Sequence, residues 1–491
     1  MKMKEQGVIT VYLSLMLVIV LGFLGGVLES SRYYGAYWNG TLATNSAIQS
    51  VFAGYDRQLL NNYGLLLLNG GFSEEFLQLS SIEEELETFI NSYVTPSKGK
   101  ILLSGGNFLS SKLKEVSIKK YYMITDNNGL YFRNTIVDYM KYEVASNIGQ
   151  YLLEQIGIIK DGVETKEEID KKGEEGENVF ESFFEENEKQ RSLVMPLDEQ
   201  SGEENVFIKL YQLLQKGYLN LVVPKEREVS EKQITHVELP SSQINKDNQF
   251  SIEADVSMVS EELLFNEYVL SYLSNFSDNK ESGGLLYEQE YVIFGQDKDI
   301  DNLTSAINIL MLIRIGLNGG YLLSDETLKG VAQSVGYIIA TLVGAPNLGD
   351  AMTYFIIGLW ATAEAVTDID TLLSGKKVPL IKSKDSWNLD LGGIWAFITG
   401  DWEDYKESKE GLSYKDYLRM FLLFINSTEK HYRTMDMIQE NMCEINPNFR
   451  FSNCIYSLEG KATFTVTPIF HTFGLLPIEE KNFTVSFGKT Y

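Results

Sequence analysis

From Val8 to Leu28 the chain runs 21 residues without a charged side chain, and no other feature restricts its fold as strongly. As a helix rising about 1.5 Å per residue, the run reaches roughly 31 Å, the thickness of a bilayer's hydrocarbon core. A cleavable secretory leader has a shorter apolar region, about 7–15 residues, followed by a small-x-small site. Leu28-Glu29-Ser30-Ser31-Arg32 offers no such site, so the run is expected to persist as an anchor. Lys2 and Lys4 precede it, while Glu29 and Arg32 cancel on the far side. The positive-inside bias then makes residues 1–7 a cytoplasmic leader, 8–28 a single transmembrane helix, and the rest an extracellular body. Membrane lipid is the first partner this implies. Tyr33, Tyr34, Tyr37 and Trp38 follow as an outer aromatic belt. Gly22 and Gly26 form a G-x-x-x-G that lets another membrane helix pack closely, although glycine is also simply common in such helices.

Beyond the anchor the 491 residues suffice for two or three domains. Helical spacing runs through Ile48, Val51, Phe52, Tyr55 and Leu59, with Asn39-Gly40-Thr41 as a break or re-capping point. Leu65–Leu68 reads as a short buried strand, Ser73–Tyr93 and Phe132–Ile158 as helices, and Asn128-Gly129 as a turn after a strand at Tyr121–Thr125. Residues 29–160 are therefore expected as a membrane-proximal α+β region. Asp161–Asn205 holds 16 acidic and 5 basic residues, with few apolar ones outside Val179–Phe184, and is expected as a solvated acidic linker (161–205). Calcium buffering is the sharper reading of such a run; plain solvation is the blander one. Residues 206–435 follow as a helical region. Leu303–Leu317 is apolar nearly all round, so it should be a buried helix whose Arg314 needs a partner. Val331–Ala345 and Ala351–Ala363 are too short to span a bilayer and read as core helices. Residues 436–491 are strand-rich: Phe464, Val466, Pro468 and Phe470 alternate, as do Phe483, Val485 and Phe487. The fold class is α+β, with an N-terminal transmembrane helix, a largely helical body and short C-terminal antiparallel strands.

A net charge of −26 argues against nucleic acid, whose phosphates need clustered Lys and Arg. Chemical signatures are scarce. His236, His431 and His471 are scattered without H-E-x-x-H, so a zinc hydrolase is not indicated. G-x-x-x-x-G-K-[ST], G-x-G-x-x-G and G-x-S-x-G are absent. Ser111-Lys112-Leu113-Lys114, Ser277-Asp278-Asn279 and Lys489-Thr490 mimic the three motifs of penicillin-interacting enzymes, but the last has no glycine and the first no clear helix start. Asp297, Asp299 and Asp301 imitate the opening of a calcium loop; Asn302 and Asn308 replace its glycine and bidentate glutamate. Capping of a following helix by Asp301 or Asn302 is the simpler account. Glu288 and Glu290 would share one face of a strand at Tyr287–Phe294, as a carboxylate pair or as a solvent edge. No catalytic, cofactor-binding or metal-ligating set emerges. Cys443 and Cys454 would bridge in an exported chain and stay buried thiols in a reducing compartment; the topology above favours the bridge.

The leader with Gly7, the stretch Val8-Ile-Thr-Val-Tyr-Leu-Ser-Leu15 and the anchor ending Glu29-Ser30-Ser31-Arg32 resemble the start of TadE/TadG-like proteins. Those are pseudopilin-like membrane proteins of Tad/Flp-type pilus secretion systems. Val51–Leu60, Phe132–Tyr142, Leu286–Tyr291 with Phe294-Gly295, Trp360–Leu373, Tyr414–Arg419 and Met435–Gln439 resemble a large uncharacterised family of Gram-positive bacteria that shares this leader. The resemblance implies a structural or assembly component beside a pilus or secretion apparatus, with other membrane proteins of that apparatus as partners. Prepilin processing favours Glu five residues after the cleavage glycine; counted from Gly7, this chain has Tyr12. The rival readings are a tethered cell-wall hydrolase or transferase, and an extracellular binding module.

Overall fold

The computed structural model describes residues 2–72, 74–94, 109, 111–141, 148–188, 210–211, 213–214, 217–223, 227–235, 238–244, 250–252, 260–279, 284–390, 410–469 and 480–491. The chain is α+β, as its patterning predicts, and its described part divides into two compact units. Unit 1 joins Met1–Thr135 to Met442–Tyr491, and unit 2 is Ile136–Asn441.

Unit 1 is a helix-on-sheet layer. Helix α1 (Lys2–Phe52) leads through a turn into α2 (Arg57–Tyr63), β1 (Leu68–Asn69), α3 (Leu79–Val94) and β2 (Ser111–Met123). From the far end of the sequence come β3 (Cys454–Val466) and β4 (Lys481–Thr490). All pairings are antiparallel with β3 central: Ser111 pairs Val466 and Tyr121 pairs Leu458 on one edge. On the other edge Phe464 pairs Phe483, with Leu68 against Ile455 beyond. Period-2 burial puts Ala462, Phe464 and Val466 of β3 and Phe483, Val485 and Phe487 of β4 on one face, which the helices cover. Ile82, Leu86, Ile90 and Val94 recur every fourth residue as the buried stripe of α3. Register shifts interrupt β2 near Leu113 and Ile118. There Glu83 of α3 accepts the Ile118 N–H at 2.8 Å, satisfying a backbone donor that the ladder leaves over.

The predicted break at Asn39-Gly40-Thr41 does not occur; α1 runs through it. The helix stops instead at Phe52, and Asp56 caps α2 by accepting from Gln58 N and Leu59 N. Asn127, Asn128 and Gly129 all take left-handed φ values (55°, 57° and 72°), so the predicted turn is there, and only these residue types adopt it cheaply.

Unit 2 is helical. The single helix predicted over Phe132–Ile158 is two, α4 (Asp126–Met140, which crosses in from unit 1) and α5 (Ile148–Glu188). The acidic stretch is corrected as well. As far as Glu188 it is helix, with Ile169 and Phe180 buried, because an apolar stripe recurs beneath the charges. Its remainder to Asn205 lies outside the described residues. Then follow α6 (Ser260–Tyr272), α7 (Glu288–Phe294), α8 (Asp299–Ser324), α9 (Glu326–Leu342), α10 (Gly349–Leu373), α11 (Tyr414–Phe421) and α12 (Ser427–Ile445). Tyr287–Phe294 is thus helix rather than the strand its alternation suggested. Close packing of α5 depends on glycine: a Cβ at Gly176 would sit 2.7 Å from Ala351 C, and one at Gly173 3.0 Å from Phe355 N.

Candidate functional site

Helix α1 has two unlike halves. From Val8 to Leu28 its apolar side chains face outward, Phe23 at 74% exposure. A Cβ on Gly22 or Gly26 would meet nothing within 4 Å, so that face carries no neighbour among the described residues. From Arg32 onward one stripe is buried: Ala36, Ala43, Ala47, Ile48, Val51 and Phe52, at helical spacing. Small residues here let the helix approach the sheet, and a Cβ at Gly40 would lie 2.9 Å from the Phe483 ring. Tyr33 and Tyr37 meet that same ring edge-on, while Tyr34 and Trp38 stay exposed.

Where the halves meet, Glu29 and Arg32 tie α1 to two loops. The Arg32 guanidinium is fully buried and donates to Leu109 O (2.8 Å), Thr467 O (2.6 Å) and the Glu29 carboxylate. The same carboxylate accepts the Ile469 N–H at 3.2 Å. The sequence showed these two charges only as cancelling; their neighbours come from the other end of the chain.

Unit 2 places its charges inside. Arg314 finds its partner in Asp368, donating from Nε (3.0 Å) and Nη2 (2.6 Å), and also donates to Pro379 O and Leu380 O. Lys382 reaches Asp368 (2.6 Å) and Glu364 (2.7 Å), and Asn318 donates to Asp368 at 2.9 Å. Burial alone would raise the Asp368 carboxyl, but Arg314 and Lys382 outweigh it and hold it below the usual range. Burial does raise Glu364, with Lys382 opposing and Asp368 adding. The signal for this pair was in the sequence: Glu364 and Asp368 stand four apart inside an apolar helix, on one face.

Other buried carboxylates hold loops. Glu288 accepts Ser274 N, Glu290 accepts Phe276 N and the Tyr414 hydroxyl, and Asp299 accepts Leu286 N and Tyr287 N. Asp436 and Glu440 accept Ser241 N and Thr235 N. The imitation calcium loop is therefore a scaffold: Asp299 is buried among these donors, and Asn302 binds Gln296 N and the carbonyls of Gln296 and Lys298. The predicted cap by Asp301 or Asn302 is replaced by a helix that starts at Asp299. Among the described residues no group of His, Cys, Asp and Glu could hold a metal ion. Burial pushes the Glu290 carboxyl up to about 7, against the pull of Phe276 N and Tyr414, and its Oε2 has no hydrogen-bond partner among the described residues. Glu262 is held low: burial raises it, but His431 and Lys430 more than offset that.

Ser111–Lys114 lies in β2, not at a helix start, and Ser277 and Asp278 belong to a turn held by the Asn275 side chain. His236, His471 and Phe470 fall outside the described residues. Cys443 and Cys454 are not bridged. Both are buried thiols, Cys443 donating to Phe449 O and Cys454 to Arg450 O, and burial raises the Cys454 thiol.

A cavity of about 330 Å³ opens in unit 2 between α5, α10 and the segment carrying Tyr211 and Tyr218. Lys166, Asp170 and Glu177 rim it over Tyr354 and Phe355. Lys166 pairs with Asp170, the Thr362 hydroxyl donates to Gly358 O, and burial with Glu181 and Asp170 nearby raises Glu177. These contacts form no nucleophile–base–orienter chain.

Fold and site together define a two-unit α+β protein whose first helix is long and apolar enough to cross a membrane. The second helix that passes the same test, Asp299–Ser324, is mostly buried and is core. Residues 197–466 match the family of unknown function DUF5702, and the chain belongs to that family. No curated protein and no solved structure matches it.

Proposed function

We propose that this protein is a single-pass, membrane-anchored structural or assembly component of an extracellular apparatus, pseudopilin-like, with its N-terminus cytoplasmic and both units outside. The observation that carries the reading is the division of α1: one unbroken helix exposes an uncharged surface over Val8–Leu28 and then becomes the spine of an antiparallel sheet. Pilin-like proteins use their first helix in these same two ways, as anchor and as packing element. An uncharged face 21 residues long gains roughly 25 cal/mol per Å² on leaving water, so a bilayer is its natural solvent. The open face at Gly22 and Gly26 supports close approach of a second membrane helix, and the partner class we assign is a pilus or secretion-system membrane protein.

The test is crosslinking in the native membrane of the double variant Gly22→Leu with Gly26→Leu. Neither position packs on the body, so folding and export should persist while crosslinks to membrane partners weaken. An unchanged crosslink pattern overturns the assembly role, and loss of the body from the outer surface of sealed cells overturns the topology. The Lys166–Asp170–Glu177 cavity favours a second reading, a tethered binding module or enzyme; hydrolysis or ligand uptake by the purified chain, lost with Glu177→Gln, would establish it.

A further inference from the structure

The end of unit 1 that surrounds Glu29 and Arg32 sits beside the apolar span, and its depth follows from the helix itself. Arg32 is four residues past Leu28, so its Cα stands about 6 Å beyond the last apolar residue, and that of Glu29 about 1.5 Å. Side chains on a helix lean toward its N-terminus, which here points back along the span. The Glu29 carboxylate therefore lies level with the end of the apolar run, and it accepts the N–H of Ile469. Ile469 is half exposed, and Leu109, whose carbonyl binds Arg32, packs its side chain on Gly35 alongside. In sequence, the chain continues from Ile469 to Ile478 without a Lys, Arg, Asp or Glu.

We infer that the β3 end of unit 1, through Ile469, is a second membrane contact that rests at the boundary between acyl chains and headgroups. The inference depends on the anchor reading above. The occupant is lipid by its apolar boundary, not a phosphate, because the Arg32 guanidinium is fully buried and already donates to Leu109 O, Thr467 O and Glu29. Pairing of Glu29 with Arg32 leaves no net charge at that depth, which lowers the cost of bringing both near lipid. Tyr34, exposed about 9 Å past Leu28, is placed for the headgroup layer, where an amphipathic ring keeps its hydroxyl in water. Two attachments at one end, the helix and Ile469, fix the tilt of the unit on the bilayer; a helix alone leaves it free to swing.

The experiment uses the full chain in phosphatidylcholine vesicles, with an environment-sensitive fluorophore on Ile469→Cys and, in separate samples, on Leu17→Cys and Tyr121→Cys. Unreacted Cys443 and Cys454 report that unit 1 is intact, since both are buried in the fold. Tyr121 pairs Leu458, near the opposite end of β3 from Thr467, and serves as the aqueous reference. The expected result is several-fold weaker iodide quenching at Ile469 than at Tyr121, with strong quenching by lipids brominated near the headgroup. Iodide quenching at Ile469 equal to that at Tyr121, with Leu17 still quenched by chain-brominated lipid, overturns the second contact and leaves the anchor standing. Iodide quenching at Leu17 overturns the anchor, and the second contact with it. Should the labelled variant unfold, Ile469→Trp carries the same comparison, read as the change in quenching against the parent chain with its five tryptophans.

Discussion

Both units bury apolar cores, but they differ in how many charges go in with them. In unit 1 an apolar cluster of Ala, Ile, Val, Leu, Met and Phe lies between two helices and a sheet, and among the described residues Arg32 is the charge buried beside it. Unit 2 encloses Arg314, Lys382, Glu364, Asp368, Glu290 and Asp299. The contrast follows from how each satisfies its backbone. In unit 1 the ladder on both edges of β3 takes up N–H and C=O groups, so side chains are released for apolar packing. Among its described residues unit 2 has irregular segments between helices, such as 374–390, and isolated bridges, such as Gln233 with Lys298. There, carboxylates on helices accept the loop N–H groups: Glu290 for Phe276, Asp299 for Leu286 and Tyr287, Glu364 for Asn388 and Leu389. A helical fold with loops this long uses acidic side chains where a sheet would use strands.

Removing one member of the ionic core should have the largest effect. Asp368→Ala leaves Arg314 and Lys382 buried without their shared carboxylate, and loss of one partner from such a group costs about 3–5 kcal/mol. Hydrogen exchange reads the units apart: amides of α8 and α10 should lose protection while those of β3 keep theirs. Equal loss in β3 would show one cooperative block and dissolve the contrast.

Acidity is the next lever. Burial raises Glu290 from 4.5 to about 7, so the folded state keeps a proton that the unfolded chain releases. The folded state binds more protons between those values, and stability therefore falls as pH rises from about 4.5 to about 7 and levels off above. The full shift corresponds to about 3 kcal/mol. Glu290→Gln keeps an acceptor for Phe276 N and Tyr414 and removes the titration, so its thermal midpoint in detergent should vary less over that window than the parent's. An identical slope in both proteins would place the proton elsewhere.

The smallest effect belongs to unit 1. Gly40→Leu forces a side chain against Phe483, an overpacking worth about 1–3 kcal/mol. The loss of protection should appear in β4 and not in α8 or α10. Gly22→Leu on the same helix is its control, with no change in either unit.

Patterning made some of this legible. The apolar run, the Asn128-Gly129 turn, the buried helix around Arg314 and the alternation of Phe483, Val485 and Phe487 all rest on local periodicity, and all are present, whereas the strand expected over Leu65–Leu68 is Leu68–Asn69 and shares one residue with it. Three errors share a cause. Alternation at Tyr287–Phe294 read as strand because buried Glu288 and Glu290 looked like a solvent face. Acidic residues after Asp161 hid the stripe of Ile169 and Phe180. Gly40 read as a break because its packing partner, Phe483, is far along the chain. In each case a charge or a glycine carried its solvent-side meaning in sequence and its interior meaning in the fold. The ties between α1, β3 and β4 were illegible for the same reason: Arg32 and Thr467 are 435 positions apart.

That separation sets an order of manufacture. A ribosome releases α1, with Ala36, Ala43 and Val51 already on one side of it, long before β3 and β4. Unit 2, whose residues are contiguous from Ile136 to Asn441, can close around Arg314 while synthesis is still under way. The apolar side of α1 can meet α3 early, but the part that Phe464 and Phe483 cover waits until β3 and β4 arrive. Chains stalled or clipped before Cys454 would carry a finished helical unit and a sticky, half-dressed helix, a species prone to aggregate. The newborn protein's most vulnerable interval is therefore the time taken to translate everything between α1 and the β3–β4 pair.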